Sequence, residues 1–407
     1  MDMLSNSKIK IHSRFSGVQS IPYNKMFSIK EKFEKSTNEN KMNLSLGMLY
    51  NDKGKLITFN SVEQAEKIIL DLNMNKEYPP ISGMPEFCSA IQNLFFPQES
   101  DVVKEGRLLI AHTVTGGAAL RVCAEVINRF LPKKIHLSNL TFLPYKNIFS
   151  NLEICYYPYY NSEIKALDVE AFIEYLNKID NNSIICLQLS SHNPTALDFD
   201  KESWDRICEI MKKKSHLALF DVAYLGYGNG DITSDLYPIH KFADNKIEMF
   251  ICYSSAKNFA NYSDDIGALM VVMNKKDPVM KLKTNLVVIN RSLFSFVSLH
   301  GSRVIERILN TELKQVWLED QKSVYERISG LRSEIILEIE KAGVNINISF
   351  LKSQKGIYIF LDLNENQVDT LAEEFSIFLC DNGRLNISGM RRDQIAYFVK
   401  SLKSVLN

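Results

Sequence analysis

The 407 residues carry 48 Lys plus Arg against 48 Asp plus Glu, so the formal net charge is zero, and 45% of the chain is hydrophobic. Balanced charge gives no footing for a nucleic-acid or membrane-surface partner, and no apolar run is long enough to predict a transmembrane helix. Seven scattered cysteines without a CxxC pair point to a reducing compartment, and the length suggests two or three domains around a sizeable core.

Residues 1–19 are polar and read as an arm without a signal-like segment, so a cytoplasmic location is expected. Residues 28–35 have the spacing of a short amphipathic helix. Residues 43–50 predict a strand and 51–54 a turn. Ser61 is a candidate N-cap for a helix running to residue 73, with Glu63 and Gln64 nearby. A loop at 78–83 precedes a helix at 86–94. Residues 113–119 form a Gly-rich turn opening onto a helix with Leu120, Cys123, Val126, Ile127 and Phe130 at helical spacing. Such a turn offers free backbone N–H groups to an anion, although Gly-Gly can also serve only to turn the chain.

Strands then follow at 134–138, 183–190, 217–222, 249–253 and 266–273, with a helix at 204–211 between two of them. That alternation predicts an α/β domain with a mostly parallel sheet. Asn193, Asp221 and Lys257 stand at or just past three strand ends, where ligands of such sheets bind. Lys257 lies between two apolar runs. At the mouth of a buried strand it is a candidate for the amine that forms a Schiff base with an aldehyde cofactor; on this stretch alone, a surface lysine is the alternative. Residues 306–342 read as a long linking helix into a second domain. A strand (356–361), a helix (368–375), an edge strand (377–379), a short strand (384–387) and a closing helix (391–406) complete the chain.

Several motifs, in order, resemble those of the aspartate/aromatic aminotransferase family, the fold-type I enzymes that depend on pyridoxal 5′-phosphate. They are Asn-Leu-Ser-Leu-Gly (43–47), Tyr-Pro-Pro-Ile-Ser-Gly (78–83), Gly-Gly-Ala-Ala-Leu-Arg (116–121), Ser-His-Asn-Pro-Thr (191–195), Phe-Asp-Val-Ala-Tyr (220–224), Ser-Ser-Ala-Lys-Asn-Phe (254–259) and Gly-Arg-Leu-Asn-Ile (383–387). The resemblance implies a large cofactor-binding domain at 58–318 and a smaller α+β domain built from 20–57 and 319–407. It implies a homodimer with shared active sites, acting on an amino acid and a 2-oxo acid, and no metal. Lys257 would form the Schiff base and carry the proton at the substrate Cα. Asp221 would pair with the pyridine nitrogen, while Asn193 and Tyr224 would bond the phenolic oxygen. Phe142 would stack on the ring, where the family usually has tryptophan. Thr115, Gly116, Gly117 and Ser254 would hold the phosphate, with Tyr78 from the neighbouring subunit. Arg384 would grip the α-carboxylate, beside Gly47 and Asn193, and Arg291 would reach a distal carboxylate across the dimer.

The chain also departs from that pattern. Asp265 stands where the family places a phosphate-neutralising arginine, Gly117-Ala118 replaces Thr-Gly, Leu143-Pro144 follows Phe142, and Tyr145 replaces a common histidine. Either the phosphate shifts, another cation substitutes, or Asp265 turns away; of the cations Arg121, Lys146 and Arg303, the sequence nominates none. These changes favour an aromatic or unusual amino acid over aspartate as substrate. Two alternatives stand beside transamination: elimination, replacement or carbon–carbon bond formation on the same cofactor, and a catalytically silent binding protein.

Overall fold

The computed structural model describes residues 13–19 and 25–407. Most of the expected arm therefore lies outside the described residues. Seven strands form the central sheet: β1 (Leu108–Thr113), β2 (Lys134–Ser138), β3 (Glu153–Tyr157), β4 (Ile184–Gln188), β5 (Leu217–Val222), β6 (Met249–Ser254) and β7 (Gly267–Val272). Their order is β1-β7-β6-β5-β4-β2-β3. Only β7 runs against its neighbours, pairing antiparallel with β6 and β1; the other pairs are parallel. Both faces are covered, so the strands are apolar almost throughout rather than alternating. Leu109, Cys186, Leu219, Phe250, Cys252 and Leu269 face one core, with α1 (Gly116–Phe130) and the helix Asp277–Leu293 packed against them. Ile185, Leu187, Phe220, Ile251, Tyr253 and Met270 face the other core.

The remaining elements correct several expectations. Residues 43–50 are not one strand. Met42–Asn43 pairs in parallel with Ile377–Phe378, and Tyr50 bridges Leu56, but from Ser45 to Leu49 the chain is held largely by side chains. Ser45 O accepts from Arg384, Leu46 O and Met48 O accept from Asn386 Nδ2, and Leu49 N–H donates to Tyr262 Oη. Backbone groups satisfied in this way need no strand partner. Ser61 is not the N-cap of its helix (Asn60–Asp71), since Phe59 occupies that position. Instead Asp320, from the distant helix α2 (Leu313–Ala342), accepts both the N–H and the hydroxyl of Ser61, supplying an anion at the helix start. The long helical stretch is two helices, His300–Leu309 and α2, broken at residues 310–312. Strands β1 and β3 and the helix Asp277–Leu293 have no counterpart among the predicted elements.

Tyr358–Phe360 pairs antiparallel with Arg384–Asn386 and brings Arg384 toward the carboxyl ends of the central strands. No helix among the described residues is long and apolar enough to cross a membrane. A cavity of about 300 Å³, lined largely by apolar side chains such as Phe130, Phe250, Val271 and Leu282, lies at the opposite, amino-terminal ends of β5 and β6.

Candidate active site

The predicted residues converge where β4, β5 and β6 end. Register places Gln188 opposite Asp221 and Asp221 opposite Cys252, so the Asp221 carboxylate projects from the middle of three parallel strands. Tyr145 is buried behind it and donates its hydroxyl to Asp221 Oδ2 at 2.5 Å. Burial pushes the Asp221 carboxyl up to about 6, against the opposing pull of the Tyr145 hydrogen bond and of Lys257. Phe142 packs edge-on against Tyr145, with ring centroids 5.4 Å apart, which sets an aromatic wall beside Asp221.

Lys257 sits in the turn after β6. Tyr253 donates to Asn258 Oδ1, Asn258 Nδ2 donates to Leu225 O, and Trp317 Nε1 donates to Asn258 O, so the residue after the lysine is fixed from three sides. Lys257 O accepts from Tyr227 Oη, and Nζ lies 5.7 Å from the centre of the Tyr224 ring. A polar chain then runs outward. Tyr224 Oη is 3.0 Å from Tyr358 Oη and accepts from Asn193 Nδ2 at 3.4 Å; Asn193 Oδ1 accepts from Arg384 Nη1 at 2.7 Å. Gln188 clamps the Asn193 backbone on both its N–H and its C=O.

Arg384 is buried, with Nη2 donating to Ser45 O and the guanidinium carbon 4.3 Å from the centre of the Tyr358 ring. Its Nε has no partner, an unmet donor in a buried cation. Gly47 lies directly over Tyr358, where a Cβ would collide with the phenol oxygen. Tyr358 and Gln188 were missed by sequence reasoning. Tyr358 alternates with buried apolar neighbours and reads as core, and Gln188 is a lone polar residue at a strand end.

The Gly-rich turn opens onto the N-terminus of α1, where backbone N–H groups can receive an anion. Thr115 caps α1 by accepting the Ala118 N–H at 3.0 Å. The Gly116 and Gly117 N–H groups belong to the first turn, which has no intrahelical acceptors. A Cβ on Gly116 would overlap that of Ser254, so the close approach of α1 to the end of β6 requires glycine there; Gly117 faces open space beyond Thr115. These features fit pyridoxal phosphate: a cradle for its phosphate, a carboxylate for its ring nitrogen, and an amine and two hydrogen-bonding side chains between them.

Asp265 does not turn away. Its Oδ1 accepts from Ser254 Oγ at 3.1 Å and lies 3.4 Å from Ser255 Oγ. Burial raises its carboxyl above the usual range, partly offset by Lys257 and the hydroxyls. Two other cations are engaged elsewhere, Arg121 with Glu125 and Ile148 O and Arg303 with Asn75 O, while Lys146 is exposed.

Two predicted residues stand outside this cluster. Tyr78 is 77% exposed and stacks on Phe296 at 4.5 Å, and the exposed Arg291 lies over the same ring at 5.9 Å. They join one another and not the buried site of their own chain.

Residues 39–402 match the family described as aminotransferase class I and II. The mitochondrial aspartate aminotransferase of Gallus gallus is 31% identical, over 97% of this chain and 94% of its own length. The mitochondrial aspartate aminotransferase of Schizosaccharomyces pombe is 33% identical, over 94% and 89%. Among solved structures, the cytoplasmic aspartate aminotransferase of Saccharomyces cerevisiae superposes with a TM-score of 0.93 at 30% identity, covering 97% of this chain and 98% of that one. An aromatic-amino-acid aminotransferase of Burkholderia pseudomallei covalently bound to pyridoxal phosphate gives 0.93 at 26%, covering 97% and 100%. These matches, with the mostly parallel sheet flanked by helices, place the chain among the pyridoxal phosphate-dependent enzymes of fold type I. The chain belongs to the class I and II aminotransferases, and pyridoxal phosphate is its cofactor.

Proposed function

We propose that this aminotransferase moves an amino group between an α-amino acid and a 2-oxo acid in two half-reactions, with an aromatic or unusual amino acid preferred over aspartate. The observation that carries the reading is the continuous polar chain from Arg384 through Asn193 to Tyr224, ending beside Lys257. When bound, pyridoxal phosphate supplies an aldehyde and an electron-accepting ring. Lys257 Nζ would hold that aldehyde as a Schiff base, with loss of water, and once displaced by the substrate amine would carry the proton at the substrate Cα. Asp221, oriented by Tyr145, would pair with the ring nitrogen and favour its protonated form. Asn193 and Tyr224 bond the phenolic oxygen, and Phe142 covers the ring. Thr115, Gly116, Gly117 and Ser254 hold the phosphate. Arg384, with Gly47 and Asn193 beside it, takes the α-carboxylate.

The active unit is a homodimer. Support comes from the aromatic surface of Tyr78 and Phe296 with Arg291 over it, which lies outside the chain's own buried site and is free to enter a neighbour's. The departures around the cofactor, Asp265 foremost, favour an aromatic or unusual donor over aspartate. The domain division at 58–318 and 20–57 with 319–407 is supported by the pairing of Met42–Asn43 with Ile377–Phe378. All seven cysteines are free, including the buried Cys123 and Cys252, in keeping with a cytoplasmic location.

The test is to add pyridoxal phosphate, trap the linkage with borohydride, and map the added mass by peptide mass spectrometry. It should fall on Lys257 and vanish in Lys257→Ala. A donor panel with 2-oxoglutarate, read by the oxo acid formed, should rank aromatic donors above aspartate. A label elsewhere, or aspartate outrunning every aromatic donor, would sink the respective part of the reading.

A further inference from the structure

We propose that the phosphate cradle of this enzyme takes its phosphate together with a proton, held on the Asp265 carboxyl, rather than against a fixed cation. The inference rests on the cofactor assignment above and concerns this chain's departure from the family pattern. Register places Ser254 opposite Gly267 and Gly267 opposite Thr113, so the turn before α1, the end of β6 and the start of β7 meet at one point. A Cβ on Gly267 would strike the Thr115 carbonyl, so the start of β7 lies hard against the turn before α1. Asp265 is two residues before Gly267 and is bound to Ser254, the hydroxyl that faces Gly116. Ser254 has a single hydroxyl proton, and Asp265 takes it. A phosphate on the cradle needs the same proton and brings like charge beside the carboxylate.

The surrounding charges do not resolve that conflict. From β6 and its turn, Ser254, Ser255 and Lys257 face Asp265, while the nearby Tyr253 commits its hydroxyl to Asn258. On its own loop, Asp264 adds negative charge and receives the Ser263 hydroxyl. On α1, Arg121 is bound to Glu125. On the helix His300–Leu309, whose Gly301 abuts Asp264, His300 lies near Glu66 and Arg303 bonds Asn75 O. Lys257 is the cation that acts most strongly on Asp265, and the proposed function commits its amine to the cofactor aldehyde. A proton taken from solvent onto Asp265 removes the repulsion. It frees the Ser254 O–H for phosphate and leaves the Asp265 O–H to donate back to Ser254 Oγ. No electrons move.

The experiment is calorimetric titration of the cofactor-free protein with pyridoxal phosphate, from about pH 6 to about pH 8.5, in pairs of buffers with different ionisation heats. Wild type, Asp265→Asn and Asp265→Arg are compared, with pyridoxal as the phosphate-free probe. Relative to Asp265→Asn, wild-type affinity should fall by up to about tenfold per pH unit above the carboxyl's pKa in the free protein, and wild type should take up about one more proton per site. Asp265→Arg should bind tightly without that extra proton. Pyridoxal should give the same proton count with wild type and Asp265→Asn. Parallel profiles and equal proton uptake for wild type and Asp265→Asn would overturn the proposal while leaving the function intact. So would an extra wild-type proton that persists with pyridoxal, because it would belong to the ring or to Lys257. Failure of all three proteins to bind pyridoxal phosphate at any pH would overturn both the proposal and the function it rests on.

Discussion

Replacing Asp221 by Asn should make the cofactor-free protein steadily more stable, relative to wild type, as pH rises from about 4 to about 8. Burial holds the Asp221 carboxyl at about 6 in the folded chain, against 3.8 ordinarily. A folded-state pKa above the unfolded value means that the native protein binds the extra proton. The associated stability is fully present below 3.8 and is lost as pH climbs through 6. The raised carboxyl is worth about 3 kcal/mol across that window. Asparagine keeps the shape and still accepts the Tyr145 hydroxyl, as the neutral carboxyl does. The variant should therefore be close to wild type at about pH 4 and about 2 to 3 kcal/mol stronger at about pH 8. Urea denaturation of both cofactor-free proteins at the two pH values measures this directly. Saturating pyridoxal phosphate should reverse the alkaline ranking, because the protonated ring nitrogen supplies Asp221 with its counter-charge. A wild-type-to-variant gap that does not change with pH would refute the reasoning.

Other substitutions probe the rest of the site. Tyr145→Phe should weaken cofactor binding by about 1.5 to 3 kcal/mol, the range for a hydrogen bond to a charged group, read as an increase in Kd. Arg384→Ala should reduce kcat/KM for every α-amino acid donor by about 2 kcal/mol or more, since it removes a buried cation that grips a carboxylate. Arg291→Ala should matter only for acidic donors, so an equal loss with phenylalanine would exclude it from distal recognition. Gly267→Ala should destabilise the fold by about 1 to 3 kcal/mol, because the added carbon meets the Thr115 backbone; thermal unfolding measures it.

Much of this site was legible before the structure. Asn193, Asp221 and Lys257 follow apolar runs that read as strands, and a parallel sheet gathers strand ends at one edge. What brings residues together across hundreds of positions was not legible. Asp320 reaches the helix start at Ser61 from helix α2, and Tyr358 reaches Tyr224 from the strand paired with Arg384. Neither has a local pattern that sets it apart from a surface aspartate or a core aromatic. Strand β3 escaped notice for a different reason. It lies at the sheet edge with Glu153 and Tyr156 exposed, so its alternation is weak. The segment after residue 43 misled because an extended apolar stretch reads as a strand whether its backbone partners are another strand or single side chains.

The one reversed strand has an evolutionary corollary. Gly267 must stay level with both Ser254 and Thr113, so the number of residues from the end of β6 to the start of β7 is tightly constrained. Slipping the pairing by one would bring Ala268, with its methyl group, against the Thr115 carbonyl and close the cradle. The same short excursion carries Lys257. Insertions and deletions should therefore be rare in this stretch even among distant relatives, and drift there should proceed by exchange of side chains, as at position 265, and not by change of length.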